Sequence, residues 1–525
     1  MSPLLVSALG LLIGGRVASG QEKNVPFSLD DPRSKRAVVA VVGPMQITAE
    51  EFRISYEFGP AFAKRTNDAR QRYIGYMINE KLLALDASLR KEQVFQLVEP
   101  ALAEVEGDLA TEELYKDDVQ SKVKVTGSEI AWGMEESKRQ MTLQWIFAST
   151  KEEGRRLVTL LRRGSSFDSL YHLQGPDSVL AANRSMEATL FQIRMQNQEI
   201  GSVADTLTPG RPSALLKGTD GWYILRVSDE ERNMLTTQSD DVKLREDVSR
   251  AILQQKSDSV SKLYVDELLR EHHPVVEPET FDLVSSYLAL KFLDPWQARA
   301  WGLVTSPEGG KDSASLQSID TNGHMALVNL SGGVKIPLQV FLTWFRDREY
   351  LIKLQKTSKE AYLYSLMQMV WQMVRDHLLV KRAFQRNLQN RETVRTQKKW
   401  WEEKLLFEAE KKSIQDSISF KDKVLEAYFE DNRRHYKDPK GAPLTFSDAR
   451  EDVLRDYYEY ELTKRILHRI NALKEKYPVH VDEGVLARIP VQGDPKAIDV
   501  YAVKKGGTFP RPAFPVIDMM WETWR

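Results

Sequence analysis

The sequence predicts a mostly α protein with an α+β insert: two helical modules, each closed by a small sheet of one hairpin and one strand. Three observations lead there. Amphipathic stretches with apolar residues at helical spacing dominate the chain. A strand–turn–strand step followed at once by a helix occurs twice, over Ala37–Ile47 and over Met325–Ile336. One stretch, Met141 to Glu230, alternates strand-like runs with short helices and is present only in the first copy.

The 525 residues are enough for about three or four domains. Hydrophobic residues at 42% and charged residues at 28% match an ordinary soluble protein with packed cores. The 74 basic and 75 acidic residues are mixed along the chain, so no nucleic-acid partner is expected, since such partners call for concentrated Lys and Arg. The absence of cysteine excludes disulfides and thiol catalysis.

Taken in order, Leu4 to Ile13 form an uncharged apolar run, and Ala18 and Gly20 are small residues at the −3 and −1 positions of a cleavage site before Gln21. This run is shorter than a bilayer span and reads as a signal peptide over residues 1–20. The expectation is an exported, soluble, periplasmic protein without stable membrane insertion, because no later stretch approaches the roughly 18 apolar residues of a transmembrane helix.

Ala37–Ile47 then gives two short strands about Gly43-Pro44. Thr48 is the N-cap of the next helix, Glu51 its capping-box partner, and Phe52 points inward. Ile74–Ala84 is an amphipathic helix. Arg245-Glu246-Asp247-Val248 opens a long helix to Glu271, and Pro274 stops it before a Val-rich edge strand. The second copy follows the same order. Met325–Ile336 is its hairpin, Phe341 corresponds to Phe52, Val370–Val380 matches Ile74–Ala84, and Arg450-Glu451-Asp452-Val453 opens a helix to Lys476 before Pro478 and a second Val-rich step. Each closing strand is expected to return to the hairpin of its own copy, Pro274–Glu277 to Ala37–Val42. The Pro-, Gly- and Ser-rich segment Ser306 to Asn322 reads as a loop. These boundaries divide the chain into 1–20, a helical region 21–135, the α+β domain 136–232, a closing segment 233–285, a second helical module 286–486 and a tail 487–525.

The Asn79-Glu80-Lys81-Leu82-Leu83 helix and the capped helix after Ile47 resemble the chaperone region of SurA-type periplasmic foldases, and Tyr115-Lys116-Asp117-Asp118 resembles the helix before their isomerase domain. The insert resembles a parvulin (PpiC-type) peptidyl-prolyl isomerase domain. Thr142–Phe147 corresponds to its first strand, Lys151–Arg163 to its helix, and Gly164 with Ser166-Phe167-Asp168-Ser169-Leu170 to Gly-x-x-Phe-x-x-Leu. Leu207-Thr208-Pro209-Gly210 with Ser213 is similar to Leu-x-x-Gly-x-x-Ser, and Gly221–Val227 to the last strand. The resemblance implies an ATP-independent chaperone or foldase whose partners are unfolded or proline-containing client polypeptides.

It also implies two histidines, and here Trp145 and Tyr223 stand in their places, while Asn183–Glu187 replaces the family's Gly-rich stretch before Phe191. Prolyl isomerisation takes tens to hundreds of seconds uncatalysed, and a catalyst needs an apolar cup for the ring and placed polar groups for the twisted amide. Trp145, Phe147, Phe191, Met195, Trp222 and Tyr223 are the candidate peptide-binding residues. Tyr223 is the one candidate for a polar catalytic role; no catalytic residue is otherwise assigned. Strand alternation sends Trp222 and Tyr223 to opposite faces.

No cofactor or metal is expected, because the chain has no His-Glu-x-x-His, no Gly-Lys-Ser/Thr phosphate loop and no Gly-x-Ser-x-Gly. His272-His273 reads as a helix C-terminus, and Trp400 and Trp401 as interface anchors of a solvated helix. Three functions fit: a holding chaperone, an active peptidyl-prolyl isomerase, and a structural subunit with one fixed partner.

Overall fold

The structure, a computed structural model, describes residues 31–176, 182–218, 220–232, 238–304, 319, 321–346, 348–349, 353–491 and 513–522. The expected signal peptide and nearly all of the expected loop after Ser306 lie outside these residues.

Along the chain come β1 (Val38–Val42), β2 (Met45–Thr48), α1 (Ala49–Phe58), α2 (Ala69–Ser88), α3 (Lys91–Asp118) and α4 (Gly127–Glu136). The α+β stretch contains β3 (Arg139–Ala148), α5 (Lys151–Arg162), α6 (Phe167–His172), β4 (Ser185–Thr189), α7 (Leu190–Gln196), α8 (Gln198–Thr206), β5 (Leu216–Lys217) and β6 (Trp222–Arg232). Then follow α9 (Gln238–His272), β7 (Val275–Val276), α10 (Pro278–Phe292), β8 (Ala326–Asn329), β9 (Lys335–Pro337), α11 (Leu338–Arg346) and α12 (Lys359–Gln385). The last elements are α13 (Glu392–Asp416), α14 (Asp422–Asn432), α15 (Phe446–Lys476), β10 (Val479–Val481) and α16 (Glu483–Arg488). The chain is therefore mostly helical with small antiparallel sheets, as its periodicity predicts.

Two compact units result. One is Tyr115–Arg270; the other joins the residues up to Leu114 with those from Glu271 onward. In the second unit the expected closure is overturned. β10 pairs with β1, Val42 opposite Val479 and Ala40 opposite Val481, giving the order β10-β1-β2. β7 pairs instead with β8, Val275 opposite Asn329 and Val276 opposite Val328, giving β7-β8-β9. Each hairpin thus receives the closing strand of the other copy.

The physical reason lies in what packs behind each strand. The apolar stripe of α15 (Val453, Tyr457, Leu462, Ile466, Ile470, Leu473) joins one core with Val39, Val42, Ile47, Phe52 and Tyr73. Arg469 Nε holds Asp86 on α2 at 2.7 Å. That stripe delivers β10 to β1, where Gly43 N–H donates to Pro478 O at 2.9 Å and Asp482 N–H to Val39 O at 2.8 Å. β7 is fixed at its own site by Glu277 N–H donating to Leu327 O at 2.9 Å, and by the Arg382–Glu271 ion pair at 2.5 Å.

Local expectations hold at the repeated positions. Phe52 and Phe341 are both fully buried. Thr48 Oγ1 accepts from Glu51 N–H at 3.2 Å and caps α1, and the Glu51 carboxylate lies 2.8 Å from the Lys81 ammonium. Trp400 and Trp401 are buried, and α13 is not a solvated helix along this stretch, Lys399 alone being exposed between Lys398 and Lys404: it packs along α2, with Lys404 on Glu80 at 2.9 Å and Glu403 on Lys81.

Candidate functional site

The α+β stretch forms a four-stranded sheet in the order β4-β3-β6-β5, with β3 and β6 antiparallel neighbours throughout. Side chains alternate between its faces. Met141, Leu143, Leu225 and Val227 face the buried sides of α7 and α8 (Leu190, Ile193, Ala204). Ile146 and Ile224 face Phe167, Leu170 and Tyr171 of α6, with Leu157 and Leu161 of α5 beside them.

Three of the six candidate residues come together on the α7–α8 face. Trp145 and Tyr223 are half-buried against that core cluster. Phe147 stands opposite Tyr223 across the strands, their rings edge-to-face at 5.3 Å. Leu216 of β5 extends the row as the other cross-strand neighbour of Tyr223. Two glycines make room for the rings: a Cβ at Gly221 would stand 2.3 Å from Phe147 Cε2, and one at Gly218 2.4 Å from Tyr223 Cε2.

The other three are elsewhere. Trp222 lies on the opposite face, with Lys151 Nζ at 5.3 Å from its ring, as alternation requires. Phe191 and Met195 do not line the face, contrary to the grouping the resemblance implies. Leu190 and Ile193 turn one side of α7 to the sheet, and the helical spacing sends Phe191 and Met195 to a separate cluster with Val248 and Ile252 of α9. Phe191 is buried there, edge-on to Trp132 at 6.0 Å. That displacement is set by Arg194, also buried, which binds Glu136 at 2.8 Å and Asp205 at 2.7 Å and so ties α7 to α4 and α8.

The polar groups at the rim were not legible in the sequence. Gln174 Nε2 donates to Phe147 O at 2.7 Å, and its Oε1 accepts from Phe147 N–H at 3.1 Å and from Arg184. The Arg184 guanidinium stands 5.9 Å from the Phe147 ring. Tyr223 donates its hydroxyl to Asp220 Oδ1 at 2.6 Å. Burial first, and then this bond, pushes the phenol up to about 12, so the hydroxyl stays a proton-bearing donor and is no base at neutral pH. On the far side of the sheet Arg226 clamps Asp168 through both oxygens at 3.0 and 2.6 Å and lies 4.3 Å from the Phe167 ring. The Arg226 bonds hold the Asp168 carboxyl below its ordinary range.

The arrangement offers an apolar aromatic surface with a rim of donors (Gln174, Arg184) whose hydroxyl partner is already engaged. That chemistry suits gripping extended polypeptide. Among the described residues no group of three or more His, Asp or Glu is placed to hold a metal, and no helix is long and apolar enough to cross a membrane.

No protein-family model matches the chain, and no curated protein matches it. Among solved structures it is similar to the peptidyl-prolyl isomerase PrsA of Bacillus cereus, at 15% identity over 44% of this chain and 92% of that one, with a TM-score of 0.22. It is also similar to the foldase PrsA of Streptococcus pneumoniae, at 15% identity over 43% and 89% with a TM-score of 0.21. PrsA of Bacillus anthracis aligns at 12% identity over 36% and 96%, with a TM-score of 0.21.

Proposed function

We propose that this protein is an exported, ATP-independent chaperone or foldase that binds unfolded polypeptides, and that its parvulin-like insert serves as a peptide-binding surface rather than as a catalyst. The observation that carries the reading is the row Trp145, Phe147 and Tyr223: three half-buried aromatic side chains on one sheet face, two of them where the resemblance implies histidines. An indole and a phenol keep apolar bulk for an extended segment. They lack the imidazole pair, and the phenol is committed to Asp220.

Two measurements on the full chain test this. Suppression of aggregation of an unfolded client, without nucleotide, is expected, and Trp145→Ala with Phe147→Ala is expected to weaken it. A protease-coupled turnover assay on a proline peptide is expected to show no acceleration over the uncatalysed rate. Acceleration at catalytic amounts of protein would favour the working isomerase, for which the Gln174 and Arg184 donors beside Phe147 speak. Indifference to any unfolded client would leave the structural-subunit reading.

A further inference from the structure

The tail behaves unlike the elements around it. Residues 513–522 have no regular structure from Pro515 to Asp518 and end in one 3-10 turn, Met519–Glu522. They lie in a groove made by α1, α2 and α13. Phe514 packs on Phe58 at 5.2 Å between ring centres. Val516 and Ile517 are buried. Asp518 takes the Lys411 ammonium and offers its N–H to Glu80 Oε1 at 2.6 Å. Trp521 is fully buried, stacked on Tyr76 at 5.5 Å, and donates its indole N–H to the same Glu80 oxygen at 2.8 Å.

Two features mark the segment as a guest in this groove. It is anchored by side chains and by one receptor carboxylate, and it belongs to none of the sheets. It also leaves the groove incompletely filled. A partly open cleft of about 40 Å³ lies beside Pro515, Val516 and Ile517, walled by Glu51, Ser55, Glu80, Lys81, Glu403 and Lys404. Its walls are largely charged, so the groove beside the segment stays accessible from the surface.

We infer that the groove between α1, α2 and α13 is a second polypeptide-binding site, occupied in the free protein by the chain's own tail. Its ligand class is a segment with an aliphatic pair, an acid and, three residues after the acid, a tryptophan, as in Ile517-Asp518-Met519-Met520-Trp521. Glu80 reads the main-chain N–H and the indole; Lys411 reads the acid; Tyr76 and Phe58 take the aromatic rings. A client segment of that chemistry competes with the tail, so the tail sets a threshold against weak ligands. This site lies outside the aromatic sheet face and stands whether or not that face binds clients.

The test uses the full chain with a protease site inserted between Gly506 and Gly507. The folded protein is cut, diluted and titrated with a fluorescent synthetic peptide of residues 507–525. The cut fragment is expected to leave and the peptide to replace it saturably, at least tenfold more weakly when it carries Trp521→Ala. A tethered ligand has an effective concentration on the order of millimolar, so the uncut chain should bind a micromolar peptide roughly 100- to 1,000-fold more weakly. A chain ending at Val491 serves as the second protein, expected to keep its far-UV spectrum and to bind the peptide. If the cut fragment never exchanges under native conditions, or the chain ending at Val491 fails to fold, the tail is a core element and the proposal is wrong. A folded, emptied groove that ignores the peptide overturns it equally.

Discussion

Glu80 on α2 and Trp521 in the tail meet across 441 positions of sequence, both buried, the carboxylate accepting the indole N–H at 2.8 Å. One oxygen of Glu80 also accepts Asp518 N–H, and the other holds Lys404, so a single side chain joins α2, α13 and the tail. Trp521→Phe keeps a ring to stack on Tyr76 but removes the donor. The expected loss is about 1–3 kcal/mol of unfolding free energy by urea titration, whereas Trp521→Ala, which also empties the ring's volume, should cost about 3–5 kcal/mol.

Lys81 is buried between Glu51 and Glu403, and both carboxylates hold it in the charged state. Burial, helped by the neighbouring Glu403 charge, pushes Glu51 above its ordinary value despite Lys81. A carboxyl raised on folding contributes stability that is complete below the unfolded value and lost as pH rises through the folded one. Lys81→Met strands two acids without a cation and is expected to cost about 3–5 kcal/mol near neutral pH. Lowering the pH should shrink that deficit as Glu51 takes up a proton. A deficit that stays constant with pH in urea titrations would contradict this account of the cluster.

Strand exchange between the copies can be read by cross-linking, because the chain has no native cysteine. Val42 and Val479 are direct antiparallel partners, within the range a disulfide spans. Val42→Cys with Val479→Cys should oxidise to an intramolecular bridge. Val42→Cys with Val276→Cys, the pairing that the repeat alone suggests, should remain reduced under the same conditions.

Tyr223, pushed up to about 12, stays protonated far above neutral pH. Its share of stability is intact below the unfolded value of about 10 and is lost as pH rises through about 12. Tyr223→Phe should cost less than about 1 kcal/mol at neutral pH, since Asp220 is exposed enough to be rehydrated. Alkaline titration of unfolding should then show a shallower loss between about pH 10 and 12 than the parent protein does.

Much of the local design was written in the residues. The spacing that places Phe52 after Ile47 and Phe341 after Ile336 predicted two equivalent buried positions, and both are shut from solvent. Alternation along β6 separated Trp222 from Tyr223. The grouping of Phe191 and Met195 with the sheet aromatics failed because α7 presents two apolar faces, and the choice between them depends on the buried Arg194–Glu136 pair, formed by residues 58 positions apart. Gln174, Arg184 and Asp220 carried no signal, since a rim donor is defined only by what it stands beside.

The sequence by itself determined that this is a mostly helical chain with two hairpin-and-helix copies and an α+β stretch in one of them, because periodicity and capping act over a few residues. Only the tertiary structure decided which strand closes which hairpin and where the tail goes. Val275-Val276 and Val479–Val481 are near-equivalent edge strands, and backbone hydrogen bonding does not tell them apart. The choice rests on the helix behind each: the stripe of α15 fits the core around Phe52, and burial of that whole surface, not the strand's own residues, selects the partner.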